Sequence, residues 1–403
     1  MSDFGAALKA ARPRAVAALR RFAGNLDAAE DAFQDAAERA LIAWREQGLP
    51  DNPTGWLITA GRNRLIDAAR KAGREVAGDA PEQSHEDLEP TALDDDLLRL
   101  VFTCCHPALA VEHQVALTLK VIAGLSSADV AQAFLVPVRT MEQRLARARK
   151  KLSDKGIPFA VPEAAELPDR LEAVLATVYL IFNQGYSARA GALVDSRTCE
   201  EAIWLARLLL RLFPGDTELM GLLALMLCHH ARHASRQAAD GALIPLPRQD
   251  RSAWDGDLIT EATALLRVAL GRGRPGPYQT QAAIAALHCE APDANATDWA
   301  QIAALYEILE RQSPGPVVTI NRAVALSEAG DTETALAVLE QLDVSSLSDY
   351  TPYLVAHSTL RHRRGDADTA DALLRQALET SQHAAEREFL SQVLQERSAR
   401  ADI

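Results

Sequence analysis

Val138, Met141, Leu145, Ala148 and Leu152 recur at intervals of 3, 4, 3 and 4 residues, the stripe of a helix that buries one face. The other face carries Arg139, Thr140, Gln143, Arg144 and Arg147, with Lys150 and Lys151 toward its end. Just upstream, Ser126 and Asp129 stand three apart, a capping-box pattern that opens a short helix expected to bury Val130, Ala131 and Phe134. Pro137 disfavours helix at the residue before it, so Leu135-Val136-Pro137 reads as a tight turn. Leu135 stands where such turns often use Gly, at a cost of about 1 kcal/mol if the left-handed geometry is kept. A short helix, a turn and a basic helix make a helix-turn-helix. Arg and Gln on its second helix offer forked donors that match base edges in the major groove, each good pair contributing about 1–3 kcal/mol of discrimination.

The same three- and four-residue spacing runs through the whole chain, with Ala and Leu dominant and strand signals scarce, so the fold class expected is all-α. Two breaks divide it. The stretch REVAGDAPEQSHEDLEP at 74–90 has two prolines and little that could form a core. The second break, KGIPFAVPEAAELP at 155–168, has three. The domains expected are a first helical block over 1–74, an acidic linker over 75–92, the helix-turn-helix block over 93–154, a linker over 155–167 and a helical extension over 168–403.

The extension repeats itself. Gly330-Asp331 precedes Ala335 and Leu339, and Gly365-Asp366 precedes Ala370 and Leu374, an offset of 35 residues. That is close to the period of a tetratricopeptide hairpin, with Ala323, Ser358 and Ala377 where paired helices would approach closely. The stretch 200–216 reads as the second helix of another unit, ending at Pro214.

Net charge is -13, but it is unevenly spread. Residues 1–74 carry +3, 75–98 carry -9, 99–155 carry +5 and 156–403 carry -12. The two basic segments act locally, because salt screens charge beyond about 10 Å. No apolar run reaches membrane-spanning length and the N-terminus lacks a signal-peptide core, so a cytoplasmic location without membrane is expected. The 5 cysteines form no disulfide framework. In Cys104-Cys105-His106 and Cys228-His229-His230, adjacent side chains on a helix point apart, so both read as packing rather than metal sites. Tyr186, Tyr278 and His357 read as packing too. No phosphate loop, ligand cluster or nucleophile motif stands out, so no enzyme and no cofactor are expected.

In the first block, Asp27 and Glu30 look like a box-like helix start, with Phe33, Ala36, Ala37, Ala40, Leu41 and Trp44 as the buried side. Asp31, Gln34, Asp35, Glu38 and Arg39 form a polar ridge suited to a protein partner. After a loop, Thr54 reads as the cap of a helix on which Asn63, Asp67, Arg70 and Arg74 share a face, with Arg62, Arg64 and Lys71 beside it. Trp56 reads as core.

The motifs AEDAFQDAAERALIAW, NPTGWLITAGRNRLID and GLSSADVAQAFLVPVRTMEQRLARARKKL, in that order, resemble regions two and four of the extracytoplasmic-function sigma factors. TCCHPALA, YLIFNQGYSA, RQDRSAWD, GPYQTQAAIAALH, TDWAQIAALYEIL and PVVTINRAVAL resemble the subgroup with a tetratricopeptide-like extension, so the resemblance covers nearly the whole chain. It implies partners: the RNA polymerase core, through its β′ coiled coil and β flap, and promoter DNA. It also implies roles. Asp31, Gln34, Asp35, Glu38 and Arg39 would dock on the β′ coiled coil. Asn52, Pro53, Thr54, Arg62, Asn63, Arg64, Asp67 and Arg70 would face the minus-ten element. Arg139, Thr140, Gln143, Arg144 and Arg147 would read the minus-thirty-five element. The acidic linker would thread the polymerase RNA channel, and a regulatory ligand or protein would act at the extension. Two other classes share part of the pattern: a one-component helix-turn-helix regulator with a helical-repeat sensor, and an interaction scaffold of stacked hairpins. Neither needs the first block's motifs.

Overall fold

The structure is a computed structural model of the chain that describes residues 3–23, 25–71, 90–134, 136–186, 196–238, 244–343, 347–381 and 384–401. It is helical, as the spacing predicts, and divides into two compact units, Met1–Gln184 and Gly185–Ile403. The acidic stretch 72–89, Arg74 within it, and the turn residue Leu135 lie outside the described residues.

Unit 1 opens with α1 (Asp3–Phe22), α2 (Leu26–Gln47) and α3 (Pro53–Lys71), packed on one another. Two caps differ from expectation. Asn25, in extended backbone, caps α2 by accepting from the Ala28 N–H at 2.8 Å, which leaves Asp27 and Glu30 free for longer-range work. Asn52 Oδ1 accepts from the Gly55 N–H at 2.9 Å, so Asn52 and not Thr54 caps α3. Trp44 is buried and meets Trp56 edge-on at 5.8 Å and Phe4 at 6.2 Å. Leu41, expected inside, is 37% exposed, because the buried stripe runs through Ala36, Ala40 and Trp44 and leaves it at the rim. Gly61 lets α3 settle on α1: a Cβ there would stand 2.7 Å from Leu19 Cδ1.

Next come α4 (Pro90–Cys104), α5 (Val111–Val121), α6 (Ser127–Ala133) and α7 (Val138–Asp154). α4 therefore begins inside the expected 75–92 linker. The Ser126–Asp129 capping box forms in full. Gly124 turns the chain into it at φ +75, and Arg12 of α1 lies where a Cβ would stand, 2.5 Å from its Cδ. Met141, Leu145, Ala148 and Leu152 are buried as expected, whereas Val138, in the first turn of α7, is 43% exposed and Phe134 is half-buried. Residues 155–166 are non-helical, and α8 (Leu167–Tyr186) follows. α8 packs into unit 1: Thr177 Oγ1 donates to Gln114 Oε1 at 3.2 Å, and Arg170 donates to the Phe102 carbonyl at 2.7 Å. The compact first unit runs to Gln184, past the 168 expected for the start of the extension, with Arg170 and Thr177 tying α8 to α4 and α5.

Unit 2 holds α9 (Ser196–Leu212), α10 (Thr217–Ala231), α11 (Gly256–Leu270), α12 (Pro277–Glu290), α13 (Trp299–Gln312), α14 (Pro316–Glu328), α15 (Thr332–Leu339), α16 (Thr351–Arg363), α17 (Ala367–Thr380) and α18 (Ala384–Ala401). Single 3₁₀ turns at His233–Ser235, Leu246–Arg248 and Arg251–Ala253 carry the irregular middle. α10 is apolar all round and buried among α9, α11 and α12. The 35-residue repeat is visible in the hairpins α14–α15 and α16–α17. Gly330 (φ +98) and Gly365 (φ +90) make equivalent left-handed turns, and Asp331 and Asp366 cap the following helices through the Thr334 and Thr369 N–H groups. Ser358 and Ala377 are fully buried where the helices meet, with Ser358 Oγ donating to the Ala370 carbonyl at 2.6 Å.

Candidate functional site

The residues singled out on α7 separate in the structure. Arg139, Gln143 and Arg147 project into solvent from one face, with Thr140 half-buried beside them. Arg144 is drawn back toward α5, its Nη1 3.4 Å from Glu112 Oε2. Positive charge concentrates on this side. Burial, helped by Arg144, Lys151 and Arg147, holds the His113 imidazole below its ordinary range despite Glu112. Three exposed forked or amide side chains on one helix face suit a polyanion read through its groove.

On α3, Asn63, Asp67 and Arg70 are exposed on a common face, as the spacing predicts. Arg62 and Arg64 do not join them. Arg62 lies over the Phe22 ring at 5.2 Å, and Arg64 Nε reaches Asp35 on α2 at 3.6 Å. Asn52 is committed to its cap, and Pro53 and Thr54 form the first turn, half-buried. The minus-ten set implied by resemblance is therefore two groups, an exposed triad and a helix entrance.

The ridge of α2 is continuous. Asp31, Gln34, Glu38 and Arg39 are exposed; Gln34 donates to Glu38 at 3.2 Å, and Asp35 pairs with Arg39 at 2.9 Å as well as with Arg64. A shallow groove of about 390 Å³ runs between this ridge and α3, lined by Asp31, Gln34, Asp35, Glu38, Arg64 and Leu65.

One residue of α7 escaped the sequence reading. Arg149 turns away from the basic face and meets α2, with Nε 2.9 Å from Asp27 Oδ1 and Nη2 2.5 Å from Glu30 Oε2. Glu30 is also held by Arg12 of α1 at 3.1 Å, and Arg12 stacks over Phe33 at 5.0 Å. Burial pulls the Arg12 guanidinium below its usual range, which Glu30 opposes. Further pairs fasten α4 to α1: Arg14 to Asp94 at 2.6 Å, and Arg21 to Asp96 at 3.3 Å. Asp96 is 1% exposed, and burial raises its carboxyl above the ordinary range against the pull of Arg21 and Arg99. Within unit 1, then, the helix-turn-helix is tied to the first three helices. Partners 119 residues apart leave no local signal in a sequence.

Among the described residues no group of three or more His, Cys, Asp or Glu could hold a metal ion, and no helix is long and apolar enough to cross a membrane.

Comparison with known proteins gives three family matches: Sigma-70 region 2 over residues 8–75, Sigma-70, region 4 over residues 99–152, and a family of unknown function, DUF6596, over residues 170–270. A protein of Rhizobium meliloti (strain 1021), named Uncharacterized protein R00370, is 45% identical over 405 residues, 97% of this chain and 95% of that one. The chain belongs to the family of this Rhizobium protein. As a member of that family it carries sigma-70 region 2 in α1–α3, sigma-70 region 4 in α4–α7, and a DUF6596 match spanning α8–α11. A more distant relative is the Probable ECF RNA polymerase sigma factor SigI of Mycobacterium tuberculosis, from strains CDC 1551 / Oshkosh and ATCC 25618 / H37Rv. It is 29% identical over 169 residues, 40% of this chain and 57% of SigI. No solved structure matches the chain. Sigma-70 regions 2 and 4 support sigma-factor function and imply interaction with RNA polymerase core and promoter DNA.

Proposed function

We propose that this chain directs RNA polymerase core to specific promoters and contributes no bond chemistry of its own. The observation that carries the reading is the presence, in order, of region 2 and region 4 in one chain, each with an exposed polar face on a single helix. In this reading α2 docks on polymerase through Asp31, Gln34, Asp35, Glu38 and Arg39. The minus-ten element meets Asn52, Pro53 and Thr54 at the entrance of α3 and Asn63, Asp67 and Arg70 along it, with Arg62 and Arg64 released from their present contacts. The minus-thirty-five element is read by Arg139, Thr140, Gln143, Arg144 and Arg147. Each reader is modestly basic, which suffices when polymerase holds both near DNA and effective concentration multiplies their contacts.

Geometry adds a requirement. Promoter elements about 25 base pairs apart are separated by roughly 85 Å along B-DNA at 3.4 Å per pair. A compact body of unit 1's length is only about 40 Å across. α3 and α7 therefore cannot occupy both elements while Arg149 holds Glu30. The 18 residues from 72 to 89 can reach at most about 60 Å, enough to bridge the gap once the two regions part. Region 4 must leave region 2 for the chain to act.

The extension, with its helical repeats and -12 charge, is proposed to regulate this activity, with a ligand or protein partner as its input. Run-off transcription with core polymerase, on the promoter upstream of the chain's own gene, tests the whole reading. Transcripts dependent on the chain are expected, and failure to associate with core in any form would end it. Repeating the assay with a chain stopping at Gln184 gives the sense of regulation: a rise means the extension restrains, a fall means it assists, and no change removes regulation from the proposal.

A further inference from the structure

In unit 2, α10 and α12 run side by side in the same direction. Gly221 near the start of α10 meets Gln279 near the start of α12 so closely that a Cβ on Gly221 would stand 2.6 Å from the Gln279 nitrogen. The contact persists to the far ends of the two helices. There the Cys289 thiol donates to the Cys228 carbonyl oxygen at 3.8 Å, which sets the two cysteines side by side. Cys228 is 2% exposed, Cys104, Cys105 and Cys199 are equally inaccessible, and Cys289 has partial access to solvent.

The surroundings of Cys289 are cationic. Arg251 is pinned on either side of it, Nη1 donating to the carbonyls of His288 at 2.6 Å and Ala291 at 2.7 Å. Arg232 is held by the Tyr186 hydroxyl at 2.6 Å. The neighbouring Cys228, with Arg232 and Arg251, lowers the Cys289 thiol from its ordinary range, against burial and Glu290. Cys228 moves the opposite way, held well above the ordinary range by its neighbour Cys289 and by burial. One thiol of the pair is thus the accessible nucleophile and the other its buried neighbour.

We propose that Cys289 and Cys228 form a hydroperoxide-reactive dithiol that closes to a disulfide between α10 and α12. Cys289 thiolate attacks one oxygen of the hydroperoxide, the O–O bond breaks, and hydroxide leaves to take up a proton as water. The product is a sulfenic acid at Cys289. Cys228, giving up its thiol proton, attacks that sulfur and expels a second water. Two thiols lose two electrons in all, and one molecule of hydrogen peroxide becomes two of water. The bond would lock α10 to α12 in the interior of unit 2. The inference stands apart from promoter function, because its readout is covalent.

The test uses the full chain, reduced and then treated with graded hydrogen peroxide, alkylated and mapped by mass spectrometry of its peptides. A cross-linked pair of peptides containing Cys228 and Cys289 is expected, formed while Cys104, Cys105 and Cys199 are still alkylated as free thiols. In Cys228→Ser, a sulfenic-acid-trapping dione should label Cys289, because the closing thiol is gone. Cys289 remaining a free thiol when the other cysteines have reacted, or pairing instead with another cysteine or a second chain, overturns the proposal. The mapping of the unaltered chain decides by itself should Cys228→Ser fail to fold.

Discussion

Glu30 on α2 is shared by two arginines from opposite sides, Arg149 of α7 at 2.5 Å and Arg12 of α1 at 3.1 Å, with only 12% of its side chain exposed. Glu30 thus bridges two arginine side chains that are themselves 18% and 15% exposed, with Asp27 as a second, more open partner of Arg149. Ion pairs at this depth contribute little net stability, but removing one member leaves charge stranded, at a cost of about 3–5 kcal/mol. The relationship joins region 2 to region 4, and under the proposed function it must be undone for both to read DNA.

Glu30→Gln keeps the shape and removes the charge. Chemical denaturation should show unit 1 destabilised by about 3 kcal/mol. Dyes placed at Asn63 on α3 and Gln143 on α7, both exposed, should report a larger separation in the variant than in the parent chain. Adding core polymerase to the parent should increase that separation further. If energy transfer is unchanged by both the substitution and the polymerase, the two regions do not part, and the opening step is wrong.

The face of α7 gives a second expectation. Arg139→Ala, Gln143→Ala and Arg147→Ala should each weaken promoter binding by the polymerase complex by about 1–3 kcal/mol, at particular base pairs, if they read base edges. Lys150→Ala, near the end of the helix, should weaken all sequences alike and flatten the salt dependence. Glu112→Gln should act in the other direction, since it releases Arg144 from its 3.4 Å contact. Titration against matched and mismatched promoter fragments at several salt concentrations separates these outcomes.

What could be read in the sequence follows from how local each cause is. The α7 stripe, the Ser126–Asp129 box and the two Gly-Asp turns of the extension rest on neighbours within a few residues, and all form. Asn25 and Asn52 cap their helices where Asp27 and Thr54, each two positions on, are also cap-forming residue types; backbone conformation, not composition, chooses between them. Leu41 and Val138 fit a helical period but lie at the edge of their stripes, where period alone cannot tell core from rim. Arg149, Arg12 and Glu30 meet only through tertiary packing. Arg62 and Arg64 flank Asn63 on α3, where they reach the Phe22 ring and Asp35 respectively, contacts with no local signal in the sequence.

The packing of α8 changes where the chain can be cut. Stopping near residue 155, at the linker legible in sequence, would strip Gln114 of its Thr177 partner and the Phe102 carbonyl of Arg170. It would also remove α8 itself, whose Val174, Leu175, Val178 and Phe182 are buried in the whole chain. Burial of such side chains contributes about 1.5–3 kcal/mol each. A chain ending at Gln184 should therefore unfold cooperatively with a melting temperature near that of unit 1 in the whole protein, whereas one ending at 155 should melt far lower or not fold. Calorimetry of the two shortened chains checks this before either is used in transcription.

Acid should act on unit 2 through its buried histidines. Burial, with Arg232 and Arg251 nearby, pulls His288 down from 6.5 to about 4, and burial likewise lowers His229 and His230. Their folded forms stay neutral where the unfolded chain would already be protonated. Between pH 6.5 and about 4 the unfolded state binds more protons, so stability is full above that window and falls as pH drops through it. Denaturation curves at pH 7 and pH 5 should show unit 2 losing stability. His288→Gln, which cannot take up the proton, should shrink the difference between the two curves; an unchanged difference would mean His288 is not the group that titrates.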